Sequence, residues 1–346
     1  MLFPASIIGS LPRPKFVQDL LKGDNDENYE RMMSSAVHYA VAMQEAAGLD
    51  VVSDGEWWRR SYIGVIAELA HGFELTYNQE GRPWTVVVDK LAAKQPGFIA
   101  REVKHLKQLT DRPIKATLPA PALLGERMWD RTASAKAYPT REAFVRDCVP
   151  ILRQEVELLR NEGVTIIQID DPHLCLFVDP IVREGYQNPD QAADFAVDMD
   201  NQLAAGMDVK MAVHLCRRAG ARARGEAVFQ GGYEPILKQL GRLQVGHITM
   251  EFTTPGSGDM SVFQQLGEDV EIGLGCVSCQ PGQIDSVDTI VSRVEQAVQF
   301  VDPSRITLNP DCGFAPGSAA EVSIDEVYEK LCNEVAAAKR LREIYG

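Results

Sequence analysis

The segment VKMAVHLC (209–216) is a run of small and apolar residues that closes on His214 and Cys216. These are two soft metal ligands two residues apart. Residues i and i+2 of a β-strand share a face, so both side chains project the same way from the strand's end. Glu251 stands near the end of a second such run, HITMEF (247–252), and Cys312 near the end of a third, RITLNPDCG (305–313). If these runs are strands of one parallel sheet, their ends bring together a Cys₂HisGlu set. Zn²⁺ takes N, S and carboxylate ligands in a tetrahedron, and two thiolates favour it over magnesium or calcium. A free cysteine is more often a small buried hydrophobe. That is the reading for Cys148, Cys175 and Cys332, which sit within or beside apolar runs. Cys276 and Cys279 are read as packing residues too, with Cys276 open to an alternative as an extra or substitute ligand.

A second set is acidic. Asp54 and Glu56 close DVVSDGE (50–56), and Asp170 and Asp171 close TIIQIDD (165–171). They read either as solvated loop acids or as a site for a cationic group such as a substrate ammonium. A third set is basic. Arg217, Arg218, Arg222 and Arg224 crowd the stretch that follows Cys216. Guanidinium binds carboxylate, phosphate or sulfonate bidentately, so the loop reads either as solvated or as a mobile anion clamp.

The elements that must carry these residues alternate. Strands are expected at 5–10, 50–56, 114–121, 165–171, 209–216, 247–252, 271–277 and 305–313. Helices are expected at 29–48, 141–163, 190–206, 287–301 and 324–346, where apolar residues recur at three- and four-residue spacing. Strict alternation implies a parallel sheet, and eight strands suit a (β/α)₈ TIM barrel. Its functional residues would lie at the C-terminal strand ends, where these acids, thiols and the histidine fall. A doubly wound open sheet is the alternative, but no GxGxxG follows the first strand. One domain over 1–346 is expected, with a probable insertion at 74–112 after the second strand. TVVVDK (85–90) suggests an extra strand pair there.

Composition narrows the function. The 346 residues carry 35 Lys+Arg against 49 Asp+Glu, a formal net charge of −14. Phosphate contacts need concentrated Lys and Arg, so neither nucleic acid nor an anionic membrane is an expected partner. No apolar run approaches the roughly 20 residues of a membrane span. The N-terminus has no signal-peptide pattern, and seven cysteines without a regular spacing fit a reducing compartment. The expected location is cytoplasmic. Oligomeric state is not legible.

Six segments then carry a resemblance along nearly the whole chain: IIGSLPRP (7–14), VVSDGEWWRRSY (51–62), IQIDDP (167–172), VHLC (213–216), ITMEF (248–252) and NPDCGF (309–314). In this order they resemble the C-terminal catalytic barrel of cobalamin-independent methionine synthase, on the fold shared with uroporphyrinogen decarboxylase. The resemblance implies zinc on His214, Cys216, Glu251 and Cys312. It implies homocysteine contacts at Ser10 and the Ile8–Gly9 backbone, at Glu56, and at Asp170 for the ammonium. The implied reaction moves a methyl group to the thiolate of homocysteine, giving methionine, from methyltetrahydrofolate or methylcobalamin. The full-length enzymes have two barrels, and this chain has only the catalytic one. The family's strand-seven histidine is replaced near Gln280. The CRR (216–218) and GGYEP (231–235) segments are closer to short single-barrel relatives. Some of these use methylcobalamin, and others join an epoxide to the thiol coenzyme M. An epoxyalkane:coenzyme M type alkyltransferase is therefore the first alternative, and a non-catalytic barrel stabilised by zinc the second.

Overall fold

The computed structural model of the chain describes residues 1–23, 27–77, 83–217, 230–315 and 322–346. An antiparallel hairpin, β1 (Ala70–Tyr77) and β2 (Pro83–Ala93), precedes six parallel strands. These are β3 (Lys115–Pro119), β4 (Ile166–Asp170), β5 (Lys210–Leu215), β6 (His247–Glu251), β7 (Glu271–Val277) and β8 (Ile306–Pro310), side by side in chain order. Two further segments close the ring through single parallel bridges: Ala5 with Leu308, Ser6 with Val51, and Val52 with Ile114. Eight positions around one ring make the (β/α)₈ barrel that the alternation predicts. The first two positions are bridges rather than full strands.

The strand sequences explain both faces of the ring. Ile167-Gln168-Ile169-Asp170, Ile248-Thr249-Met250-Glu251 and Ile306-Thr307-Leu308-Asn309 alternate apolar with polar, and all twelve residues except Thr307 at 9 % and Asp170 at 7 % are at most 1 % exposed. The apolar phase packs under the surrounding helices and belongs to the main core. The polar phase crosses the interior by hydrogen bonds. Lys115 Nζ donates to Ser6 Oγ at 2.9 Å and to the Ile7 carbonyl at 2.7 Å, and His247 Nε2 meets Thr307 Oγ1 at 2.8 Å. Buried polar groups persist only when partnered, and here the partners lie across the barrel. Val51, Ile166 and Ala212 form a small apolar cluster of their own.

Two expectations change. Strict alternation fails between β6 and β7, where the chain makes only 3₁₀ turns at Pro255–Ser257 and Met260–Gln265. The segment 252–270 holds one proline and three glycines, which disfavour helix. Met260, Val262 and Phe263 fill the space instead. The 74–112 segment also divides. The extra strand pair starts earlier, at Ala70, and ends at Ala93. The Phe98–Leu106 helix after it packs against the Glu27–Ala47 and Arg141–Asn161 helices, as a barrel helix does. Glu155 of the latter accepts the backbone N–H groups of Gly97 and Ile99, capping its start.

Gly275 sits where β7 passes between its neighbours. A Cβ there would stand 2.7 Å from the Met250 carbonyl oxygen and 2.9 Å from Asp311 Oδ1. Gly275→Ala should therefore lower stability by about 1–3 kcal/mol, seen as a lower denaturant midpoint. An unchanged midpoint would show that β6 and β7 can spread at no cost.

Candidate active site and metal centre

His214, Cys216 and Cys312 converge at the C-terminal mouth, each offering a ligand atom within 4.8 Å of the others. The two sulfurs are 3.0 Å apart. Both thiols are free of disulfides. Among the described residues, His214 Nε2 is buried with no hydrogen-bond partner. A buried orphan nitrogen is costly, and two thiols beside it complete a donor set that fits a zinc ion. Glu251 is adjacent. Its Oε1 accepts the Arg217 backbone N–H at 2.6 Å, and it stands outside the three-residue cluster.

The sheet register positions these ligands. Asp170 and His214 are paired residues of β4 and β5, and His214 Nδ1 donates to Asp170 Oδ1 at 3.0 Å. This fixes the ring and aims Nε2 at the thiols, the usual support for a ligating histidine. Burial opposes a charge on His214. The hydrogen bond and charge of Asp170, then the charges of Cys216 and Glu251, outweigh it and lift the ring to about 9. Asp311 reaches from the end of β8 past Gly275 and accepts from the N–H groups of Phe252 and Thr253, at 3.1 and 3.2 Å. That clamps the ends of β8 and β6 together and brings Cys312 toward Glu251. Tyr233 Oη accepts the Glu251 N–H at 2.9 Å from the other side.

The four mouth acids separate into two kinds. Asp54 Oδ1 accepts the Glu56 N–H at 2.9 Å. Asp171 caps the Pro172–Leu176 helix through the Leu174 N–H, at 2.9 Å. Burial, outweighing its bonds to Leu174 and Asp200, pushes Asp171 up to about 6. Both shape turns. Among the described residues Asp54 Oδ2 and Asp171 Oδ2 are buried without a hydrogen-bond partner, whereas Glu56 and Asp170 differ in bonding side chains across the mouth rather than the N–H groups of a turn. Glu56 Oε1 accepts from Thr117 Oγ1 at 2.7 Å, and Asp170 Oδ1 takes His214 and, at 2.8 Å, Gln168 Nε2. Among the described residues the second oxygen of each makes no hydrogen bond. The two carboxylates lie close enough for Asp170 to raise the Glu56 carboxyl, after burial and against Arg59. Two neighbouring carboxylates of this kind could hold one cation. Glu56 holds this place at a positive φ of 59°, a strained backbone of the kind found at functional sites.

The comparisons bear on this mouth. A family model described as the catalytic domain of cobalamin-independent synthase matches residues 3–340. The chain belongs to that family. It is 25% identical to a methionine synthase of Pyrococcus horikoshii, over 99% of this chain and 94% of that protein. It is 28% identical to a 5-methyltetrahydropteroyltriglutamate–homocysteine methyltransferase of Serratia proteamaculans, over 99% of this chain but only 43% of that protein. Among solved structures, a B12-independent methionine synthase from Shewanella sp. W3-18-1 in complex with selenomethionine shares the fold, with a TM-score of 0.83 and 22% identity over 99% and 98% of the two chains.

In this cobalamin-independent synthase domain, the Ile8–Ser10 segment is held in place by hydrogen bonds. The Ile8 carbonyl accepts from Gln168 at 3.2 Å, the Gly9 carbonyl from Ser53 Oγ at 3.1 Å, and Ser10 Oγ from the Ala315 N–H at 3.2 Å. Arg217 departs from the expected mobile clamp. It is buried, and its Nη2 donates to the carbonyls of Gly231 and Gly256 at 2.8 and 2.9 Å. Its guanidinium also stands over the Tyr233 ring. The cause is local: Gly231 and Gly256 bring bare carbonyls close, and the fork satisfies both. Arg218, Arg222 and Arg224 lie outside the described residues. Cys276 is fully buried in β7, and burial pushes its thiol well up, as befits a packing residue. Gln280 gives its carbonyl to Lys330 at 2.6 Å. Tyr62 escaped sequence reading. Burial and the nearby Cys216 and Asp170 hold its phenol well above the usual range, so it stays protonated. Its signal was its place as the last residue of VVSDGEWWRRSY, two positions beyond the Arg59–Arg60 pair.

A metal must displace the proton of His214 and those of the thiols. With the ring cationic up to about 9, metal affinity should climb with pH and level off only above that value. Competition against a chelator across about pH 6 to 10 measures this. A flat profile would contradict the ligand set.

Proposed function

We propose that the domain transfers a methyl group to the thiol of homocysteine, giving methionine, with zinc held by His214, Cys216 and Cys312 and with Glu251 as the fourth donor. The observation that carries this is the juxtaposition at the mouth. A cluster suited to binding a thiol adjoins two carboxylates that each keep one oxygen open. Homocysteine carries both groups, a thiol and an ammonium. The names of the Pyrococcus and Serratia relatives agree with this reading.

The residues have separate tasks. Zinc, when bound, would deprotonate the substrate thiol and hold it as a nucleophilic thiolate near neutral pH. Glu56 and Asp170 would orient the amino acid through its ammonium, which converts a diffusional encounter into a positioned attack. Asp170 also holds His214, so one carboxylate couples substrate orientation to ligand orientation. The sulfur–carbon bond forms as the donor–methyl bond breaks, and the thiol proton leaves to solvent. The donor is methyltetrahydrofolate or methylcobalamin. Arg217 Nη2 is committed to two backbone carbonyls; an anionic thiol held by the arginine stretch is the competing reading.

The test is turnover of zinc-loaded protein with homocysteine and, in turn, methyltetrahydrofolate and methylcobalamin, with coenzyme M and a small epoxide as the competing pair. Methionine should form with one methyl donor. Cys312→Ser should lose most bound zinc by elemental analysis, and lose all turnover, with its circular dichroism unchanged. Zinc retained in full by that variant, or thiol alkylation only with coenzyme M, would overturn the proposal.

A further inference from the structure

Behind Glu56 lies a second buried charge pair that takes no part in the metal cluster. Arg59 and Glu102 are both nearly inaccessible, at 2 % and 4 %. Arg59 Nε reaches Glu102 Oε1 at 3.0 Å and its Nη2 reaches Oε2 at 2.7 Å, a bidentate fork. Glu102 comes from the Phe98–Leu106 helix, outside the ring of strands. The fork leaves Arg59 with N–H groups to spare, and they are spent on Thr117. Nη2 donates to the Thr117 carbonyl at 2.9 Å and Nη1 to Thr117 Oγ1 at 3.1 Å.

Hydrogen-bond direction makes this a relay. A threonine hydroxyl has one hydrogen. Thr117 Oγ1 accepts from Arg59, so its own hydrogen goes to Glu56 Oε1, 2.7 Å away. Arg59 Nη1 is itself 3.8 Å from that oxygen, beyond a direct bond. Gly9 forms the opposite wall: a Cβ there would stand 2.7 Å from Glu56 Oε1 and 2.8 Å from Thr117 Cγ2. Arg13 Nη2 ties down the turn by donating to the backbone carbonyls of Glu56 and Arg59, at 2.8 and 2.9 Å. Glu56 Oε1 is thus held by the Thr117 hydroxyl and walled by Gly9.

We infer that Glu102, Arg59 and Thr117 are positioning residues that select amine-bearing thiols, by fixing Glu56 with one oxygen held and the other presented to the substrate ammonium. This rests on the reading of Glu56 and Asp170 as the ammonium site. Glu102 matters because it claims the guanidinium. Arg59 lies 2.7 Å from Glu102 and 3.8 Å from Glu56, so the two carboxylates compete for one cation. Without a charge at Glu102, Arg59 would swing the short distance to Glu56, occupy its carboxylate and cancel the charge that the ammonium needs.

The test compares homocysteine with its deamino analogue, 4-sulfanylbutanoate, as ligands of the zinc-loaded protein by titration calorimetry. The variants are Glu102→Gln and Thr117→Val. Glu102→Gln removes the charge and keeps the volume. Thr117→Val removes the relay hydroxyl and leaves the ion pair, so it carries the test should the first variant fail to fold. The wild type should prefer homocysteine by about tenfold or more, and each variant should lose most of that preference by weakening homocysteine alone. Zinc content should not change. A merely structural role would weaken both ligands together, and that result would overturn the inference, as would variants that keep the wild-type preference. If the wild type itself shows no preference, the ammonium site is what fails.

Discussion

The mouth depends on one placement: Asp170 and His214 are register partners on adjacent parallel strands. From that pairing follows the 3.0 Å bond that orients the imidazole. From the strand period follows the position of Cys216 on the same face as His214. A slip of β5 by one residue would turn both away from the interior. The register is held by the apolar phase of the same strands, which packs outward under the helices. The same burial that stabilises the barrel thus fixes the site.

The barrel interior carries many polar groups, and several are matched with partners across the ring. Lys115, Ser6 and Asn309 share one set of bonds, and His247 with Thr307 another. Replacing one member would strand the rest, since an unpartnered buried group costs more than a bond contributes. At the upper end the matching stops. Among the described residues His214 Nε2 has no partner, and Glu56 and Asp170 each keep one oxygen without a hydrogen bond.

Much of this was legible in the sequence because it follows from a period of two. Apolar runs ending in Asp170, His214, Glu251 and Asp311 announced parallel strands with polar ends, and the eightfold count announced the ring. What was not legible depends on contacts far apart in the chain or on turn geometry. Asp54 and Asp171 look like their neighbours Glu56 and Asp170, yet each gives its Oδ1 to a local backbone N–H group. Arg217 reads as an exposed arm beside other arginines, but two glycine carbonyls draw it inside. Glu102 lies 43 residues from Arg59, in a segment that reads as an insertion. The missing helix between β6 and β7 reflects its proline and glycines, which periodicity alone passes over.

X-ray absorption at the zinc edge tests the central claim most directly, because it counts the sulfurs around the metal. The account predicts two sulfurs in the zinc-loaded protein, from Cys216 and Cys312, and a third when homocysteine is added. A count that stays unchanged on addition of homocysteine would contradict it, because the thiol would then bind somewhere other than the metal.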